Sequence, residues 1–182
     1  MKAGVRVGGR WFPGHGIPGR PATERFAFFA IPHDMSDGQH IHLVAQDDAG
    51  NEVALAFVDK FTPKPFKTDE LRVNDLFMSK VVAEILPHVP SFADRGSLLA
   101  NYLAINGEVR RANAARLEEL AKNSEKAFLW KNVFLPMPGQ IVSAFADRRT
   151  YVYAGETIDR QDHLGFDIAS TQRAAIPASN AG

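Results

Sequence analysis

The chain has 182 residues, of which 45% are hydrophobic and 23% are charged, a balance typical of a globular protein with a substantial core. Lysine plus arginine equals aspartate plus glutamate at 21 each, so we expect no nucleic-acid partner. The absence of cysteine excludes disulfide bonds and thiolate metal sites. No run of eighteen apolar residues occurs, so we expect no membrane span, and residues 1–21 hold no export signal.

The first part of the chain, residues 1–62, has the composition of β structure. Glycine and proline separate short apolar segments there, as in a series of strands and turns. Three strands are predicted, at 25–31, 40–45 and 52–58. The last two form a hairpin around a loop rich in turn residues. Strands at this spacing predict part of an antiparallel, immunoglobulin-like β-sandwich.

Two histidines, His40 and His42, lie two positions apart in the second of these strands. Such a pair can chelate a metal from one face of a strand. However, alternation places both on the solvent side and turns Ile41 and Leu43 toward the core. We therefore do not expect a metal site here.

The middle of the chain has a helical pattern. Asn74 or Asp75 can cap a first helix that ends before Pro87. A longer amphipathic helix is predicted from Ser97 to about Lys122, with a kink at Asn106-Gly107. After it, β signals return in three further strands, at 141–145, 150–153 and 156–158.

Near the end of the chain, His163 and Asp167 lie four positions apart, with Gly165 between them. Imidazole and carboxylate are ordinary zinc ligands, and zinc can activate water. In a straight strand their Cα atoms would be about 13 Å apart, too far for both to reach one ion. The spacing therefore predicts a loop with His163 that turns at Gly165 into a strand with Asp167.

The sequence around this pair resembles the opening of the lysostaphin/LytM-type zinc metallopeptidases. That family has a proline-glycine turn, a strand ending in threonine or serine, a Phe-Gly element followed by arginine, and then H-x-G-x-D with two apolar or small residues. The matching segments here are Pro138-Gly139, Val142-Ser143, Phe145-Ala146-Asp147-Arg148 and His163-Leu164-Gly165-Phe166-Asp167-Ile168-Ala169. A later proline segment is represented by Ala174-Ala175-Ile176-Pro177-Ala178 and Gly182. Ala146 replaces the usual glycine and Ala175 the usual proline.

The resemblance implies an enzyme of the cell envelope, periplasmic or extracellular, that hydrolyses peptide cross-links of peptidoglycan. It implies Zn²⁺ held by two histidines and one aspartate, with His163 and Asp167 as two of these ligands. The third ligand and a general-base histidine would come from further along such a protein, and no histidine follows His163 here. We therefore assign no catalytic residue, treat Arg148 as structural, and expect this chain alone to bind zinc weakly and cleave nothing.

The expected fold is α+β in three parts, with the peptidase part truncated. These parts are the β-sandwich-like unit 1–62, a helical connector 63–127, and the start of an all-β peptidase domain 128–182. Two other functions stay open at this point. One is a non-enzymatic envelope protein that binds or regulates, and the other is a plain β-sandwich adhesion or carbohydrate-binding module. The oligomeric state is not predicted.

Overall fold

The structure is a computed structural model that describes residues 1–125 and 127–180. Gly182, which belongs to the resemblance above, lies outside the described residues. The chain divides into two compact units, Met1–Pro65 and Phe66–Gly182. In the described part of the chain, no helix combines the length and apolar character needed to cross a membrane.

The N-terminal unit consists of short antiparallel strands. They are β1 (Lys2–Val7), β2 (Arg10–Pro13), β3 (His15–Gly16), β4 (Arg25–Phe26), β5 (Ile41–Gln46) and β6 (Glu52–Ala56). Four of them form one sheet in the order β2-β1-β5-β6, and β3 pairs separately with β4. Val5, Val7 and Ile41 form the buried core of this unit.

The predicted hairpin is confirmed, because β5 and β6 pair antiparallel from His42↔Ala56 to Gln46↔Glu52. The prediction of a strand over 25–31 is wrong beyond Phe26. The partner strand β3 has only two residues, so the ladder cannot continue. The inward position of Leu43 also needs correction. Although it lies within the sheet, between Val5 of β1 and Leu55 of β6, it is 47% exposed.

The C-terminal unit combines strands with helices. Its strands are β7 (Thr68–Arg72), β8 (Gln140–Ser143), β9 (Arg148–Tyr153), β10 (Glu156–Asp162) and β11 (Asp167–Ala169). A three-stranded sheet has the order β10-β9-β7, and β11 pairs with β8 in a separate two-stranded sheet. The β9–β10 hairpin turns at Ala154-Gly155, where both residues have positive φ, as a tight hairpin turn requires.

Two helical stretches belong to this unit. They are α1 (Asp75–Ile85) and a continuous stretch made of α2 (Leu98–Ala104), a π-helical turn (Ile105–Val109) and α3 (Arg110–Ala121). The side chain of Asn74 accepts from the Phe77 N–H at 2.9 Å, and Ser97 caps α2 in the same way. Asn106 and Gly107, where a kink was predicted, lie in the π-helical turn.

The helices share their core with the strands. One buried cluster contains residues of both, namely Val73, Met78, Tyr102 and Tyr151. Burial in this cluster raises the pKa of Tyr102 to about 12. The range 63–127 was expected to be a helical connector, but it also contains β7, which pairs parallel with β9. In the structure α1 and α2 pack on the strands of their own unit, whereas α3 is exposed along its whole length, so the predicted apolar stripe does not pack there.

The mixed α+β class is confirmed by these helices and sheets. The immunoglobulin-like sandwich and the all-β peptidase domain remain predictions.

Candidate metal centre

His163 and Asp167 lie together at the junction of β10 and β11. β10 ends at Asp162, the chain bends at Gly165, and β11 begins at Asp167, as the spacing predicts. Nε2 of His163 is 3.5 Å from Oδ1 of Asp167. The imidazole is 14% exposed and the carboxylate 53%, so the pair lies at the surface with its histidine turned inward.

The backbone of His163 is fixed by the turn before β9. The His163 N–H donates to the Asp147 carbonyl at 2.9 Å, and the His163 carbonyl accepts from the Ala146 N–H at 2.6 Å. Ala146 is fully buried and has a φ of 67°, a left-handed conformation that favours glycine. Alanine thus occupies, with backbone strain, a position at which the resembled family has glycine.

A chain of polar side chains continues from this turn to Asp167. Asp147, which is 6% exposed, accepts from Ser143 Oγ at 3.2 Å. Ser143 Oγ in turn accepts from Arg149 Nη2 at 2.7 Å, and the same nitrogen donates to Asp167 Oδ2 at 2.8 Å. Arg149 therefore binds the carboxylate of Asp167 directly and is linked to that of Asp147 through the hydroxyl group of Ser143.

The carboxyl group of Asp147 is held in its ionised form. The backbone N–H of Ala144 donates to it at 2.8 Å, and this bond, together with the Ser143 hydroxyl, lowers its pKa from the ordinary value of 3.8 despite burial. A negative charge therefore remains beside the His163 loop throughout the neutral pH range.

The imidazole nitrogen of His163 and the carboxylate oxygen of Asp167 are donor atoms that zinc commonly binds. Nε2 of His163 is buried, and none of the described residues makes a hydrogen bond to it. An imidazole nitrogen without a partner, beside a carboxylate oxygen, is the arrangement expected of two zinc ligands. Within residues 1–125 and 127–180, however, no group of three or more His, Cys, Asp or Glu side chains is arranged to hold a metal.

Arg149 is the site residue that the sequence analysis missed. Arg148, its neighbour in the resembled motif, is exposed, and its backbone N–H donates to the Lys67 carbonyl at 2.8 Å. Strand alternation could have singled out Arg149, because it lies two positions before Tyr151, which faces the core. Its pairing with Asp167 depends on the contact between two sheets, which alternation does not reveal.

The sequence matches no protein-family model. A search of curated proteins likewise returns no match.

Proposed function

We propose that residues 128–182 belong to a zinc endopeptidase of the lysostaphin/LytM type, which acts in the cell envelope on peptide cross-links of peptidoglycan. His163 and Asp167 are two of its zinc ligands. The observation that carries the proposal is the 3.5 Å approach of His163 Nε2, buried and without a hydrogen-bond partner among the described residues, to Asp167 Oδ1.

The segments that carry the resemblance also contact one another. Ser143 lies directly opposite Asp167 in the β8–β11 pair. The Ala146 N–H binds the His163 carbonyl. Segments that are separate in the sequence thus meet at the two proposed ligands, which supports a common role for them.

Each residue has a defined task in this proposal. His163 and Asp167 would hold the zinc ion, and the Ala146–Asp147 turn fixes the loop that presents the imidazole. Zinc, when bound, supplies Lewis-acid chemistry for hydrolysis of an amide bond. Catalytic zinc sites use three protein ligands, so with two we expect weak binding and no cleavage by this chain alone.

Zinc titration of the purified chain by calorimetry tests the ligand assignment. Removal of a residue that merely supports a ligand lowers metal affinity about 10- to 100-fold. We therefore expect His163→Ala and Asp167→Asn to lower zinc affinity at least about tenfold. His88→Ala is the matched control, since His88 is an exposed histidine of the same unit. Equal zinc affinity in the wild type and His163→Ala would contradict the proposal.

An assay for free amino groups released from purified peptidoglycan tests the expected inactivity. The isolated 182 residues should release none above the His163→Ala background. Release that depends on His163 would show that the two ligands suffice, and would overturn the expectation of an incomplete centre.

A further inference from the structure

We infer that Arg149 is a positioning residue that selects which oxygen of Asp167 faces the metal. This inference rests on the proposed zinc site. Arg149 Nη2 donates to Oδ2 of Asp167 at 2.8 Å, while Oδ1 of the same carboxylate lies 3.5 Å from His163 Nε2. One oxygen is thus bound by the guanidinium group and the other is presented toward the imidazole.

The position of Arg149 is itself fixed. Its side chain is 17% exposed, against 53% for Asp167, so the arginine is the more enclosed partner. The same Nη2 atom donates to Ser143 Oγ at 2.7 Å, and Ser143 Oγ contacts Oδ2 of Asp147 at 3.2 Å. Because the Ser143 hydroxyl accepts from Arg149, its own proton is donated to Asp147. The carboxylate of Asp147 therefore fixes the hydroxyl that Arg149 binds.

Arg149 also connects the two sheets of the C-terminal unit. It belongs to β9 in the three-stranded sheet, whereas Ser143 and Asp167 are directly opposed residues of β8 and β11. The β8–β11 register shifts between Asp167 and Ile168, so the ladder alone does not hold the Asp167 side chain in one orientation. The arginine supplies that restraint from the neighbouring sheet.

Two physical effects of Arg149 on a bound cation oppose each other. The positive charge of Arg149 beside Asp167 repels a metal ion bound at the same carboxylate. If this Coulombic effect dominated, removal of the charge would strengthen metal binding. Its hydrogen bond orients the carboxylate, so a positioning role makes removal of the guanidinium group weaken binding. The sign of the change in affinity therefore separates the two roles.

The decisive variant is Arg149→Lys, because it keeps the positive charge and removes the planar group that reaches both Ser143 and Asp167. The probe is Co²⁺, which occupies zinc-type sites and absorbs visible light. We expect Arg149→Lys and Arg149→Gln each to lower Co²⁺ affinity about tenfold, in the range typical of residues that orient a ligand. We also expect the visible spectrum of the saturated variants to change, since the carboxylate is free to turn.

Arg160→Gln is the matched control. Arg160 is an exposed arginine of the adjacent strand β10 and lines the same surface cavity as Arg149, so its loss removes one positive charge near Arg149. Its Co²⁺ affinity should be equal to or higher than that of the wild type. Circular dichroism of each variant checks that the fold is retained. If Arg149→Gln does not fold, the comparison of Arg149→Lys with the wild type tests the inference.

The outcomes distinguish the two proposals. Co²⁺ binding that does not depend on His163 would overturn the zinc site, and the role of Arg149 with it. Binding that depends on His163 but keeps its affinity and spectrum in Arg149→Lys would overturn only the positioning role. Lower affinity with an unchanged spectrum would show a general structural effect, and would also overturn it.

Discussion

Gly139 allows β8 to begin against β11. Its φ is 143°, a backbone conformation that other residues rarely adopt. A Cβ atom added there would lie 2.4 Å from Ile168 Cγ2 and 2.6 Å from the Ala169 carbonyl oxygen. Glycine is therefore required at position 139, because a larger residue would collide with β11, the strand that carries Asp167.

We expect Gly139→Ala to destabilise the β8–β11 pair by about 2 kcal/mol or more, because strain at such a φ alone costs 1–3 kcal/mol and the close contacts add to it. Hydrogen exchange of the β8 and β11 amides measures the change. Gly165→Ala is the control, since its added Cβ would meet no atom within 4 Å and its φ is not in the left-handed range. Equal protection of these amides in the two variants would contradict the role of Gly139.

At the scale of secondary-structure elements, the π-helical turn contains a buried polar side chain. Asn106 is 7% exposed and donates to Asp159 Oδ2 on β10 at 2.5 Å. Its amide oxygen accepts from Arg110 Nη2 at 3.1 Å. The wider turn thus allows a polar residue of the long helical stretch to bind the edge strand of the sheet.

Asn106→Ala removes a donor from a partly buried carboxylate, so we expect it to lower the free energy of unfolding by about 1–3 kcal/mol. Urea unfolding followed by circular dichroism measures this loss. Asn113→Ala, on the exposed face of α3, is the control and should be neutral or slightly stabilising, because alanine is the better helix former. A loss in Asn113→Ala as large as in Asn106→Ala would show that the Asp159 bond is not the cause.

The elements that could be predicted from the sequence are those with local signals. Asn74 and Ser97 are capping residues followed by apolar periodicity, and both helices begin after them. The bend at Gly165 followed from the distance that His163 and Asp167 would have to span. Each of these features depends on residues close together in the sequence.

The elements that were missed depend on distant partners. Thr68-Asp69-Glu70-Leu71-Arg72 contains one apolar residue, so nothing in its pattern indicates a strand, yet it pairs in parallel with β9. The predicted strand at 25–31 has suitable residues but lacks a partner of equal length. The bond between Arg149 and Asp167 likewise requires knowledge of how two sheets meet, which local patterns do not contain.

At the scale of the whole molecule, each unit has a core of its own. Val5, Val7 and Ile41 form the core in the N-terminal unit. The cluster around Met78 and Tyr102 forms the core in the C-terminal unit. Ile41 and Met78 are both fully buried, which makes them matched probes of the two units.

Truncation of a fully buried Ile or Met to Ala costs about 2–5 kcal/mol. We expect Met78→Ala to lower hydrogen-exchange protection in β9 and the helices while the amides of β1 and β5 keep theirs. Ile41→Ala should give the reverse pattern. Hydrogen exchange read by mass spectrometry resolves both units in one sample. Loss of protection across the whole chain in either variant would show that the two cores unfold together.

The parallel pairing of β7 with β9 has a consequence for synthesis of the protein. Leu71 lies beside Tyr151, and Tyr151 completes the cluster on which the helices rest. While a ribosome makes the chain, the helices can therefore form long before the residue that closes their core has emerged. Until Tyr151 has been synthesised, the cluster of Met78 and Tyr102 lacks one of its members, and we expect chaperones that bind nascent apolar segments to bind this part of the chain.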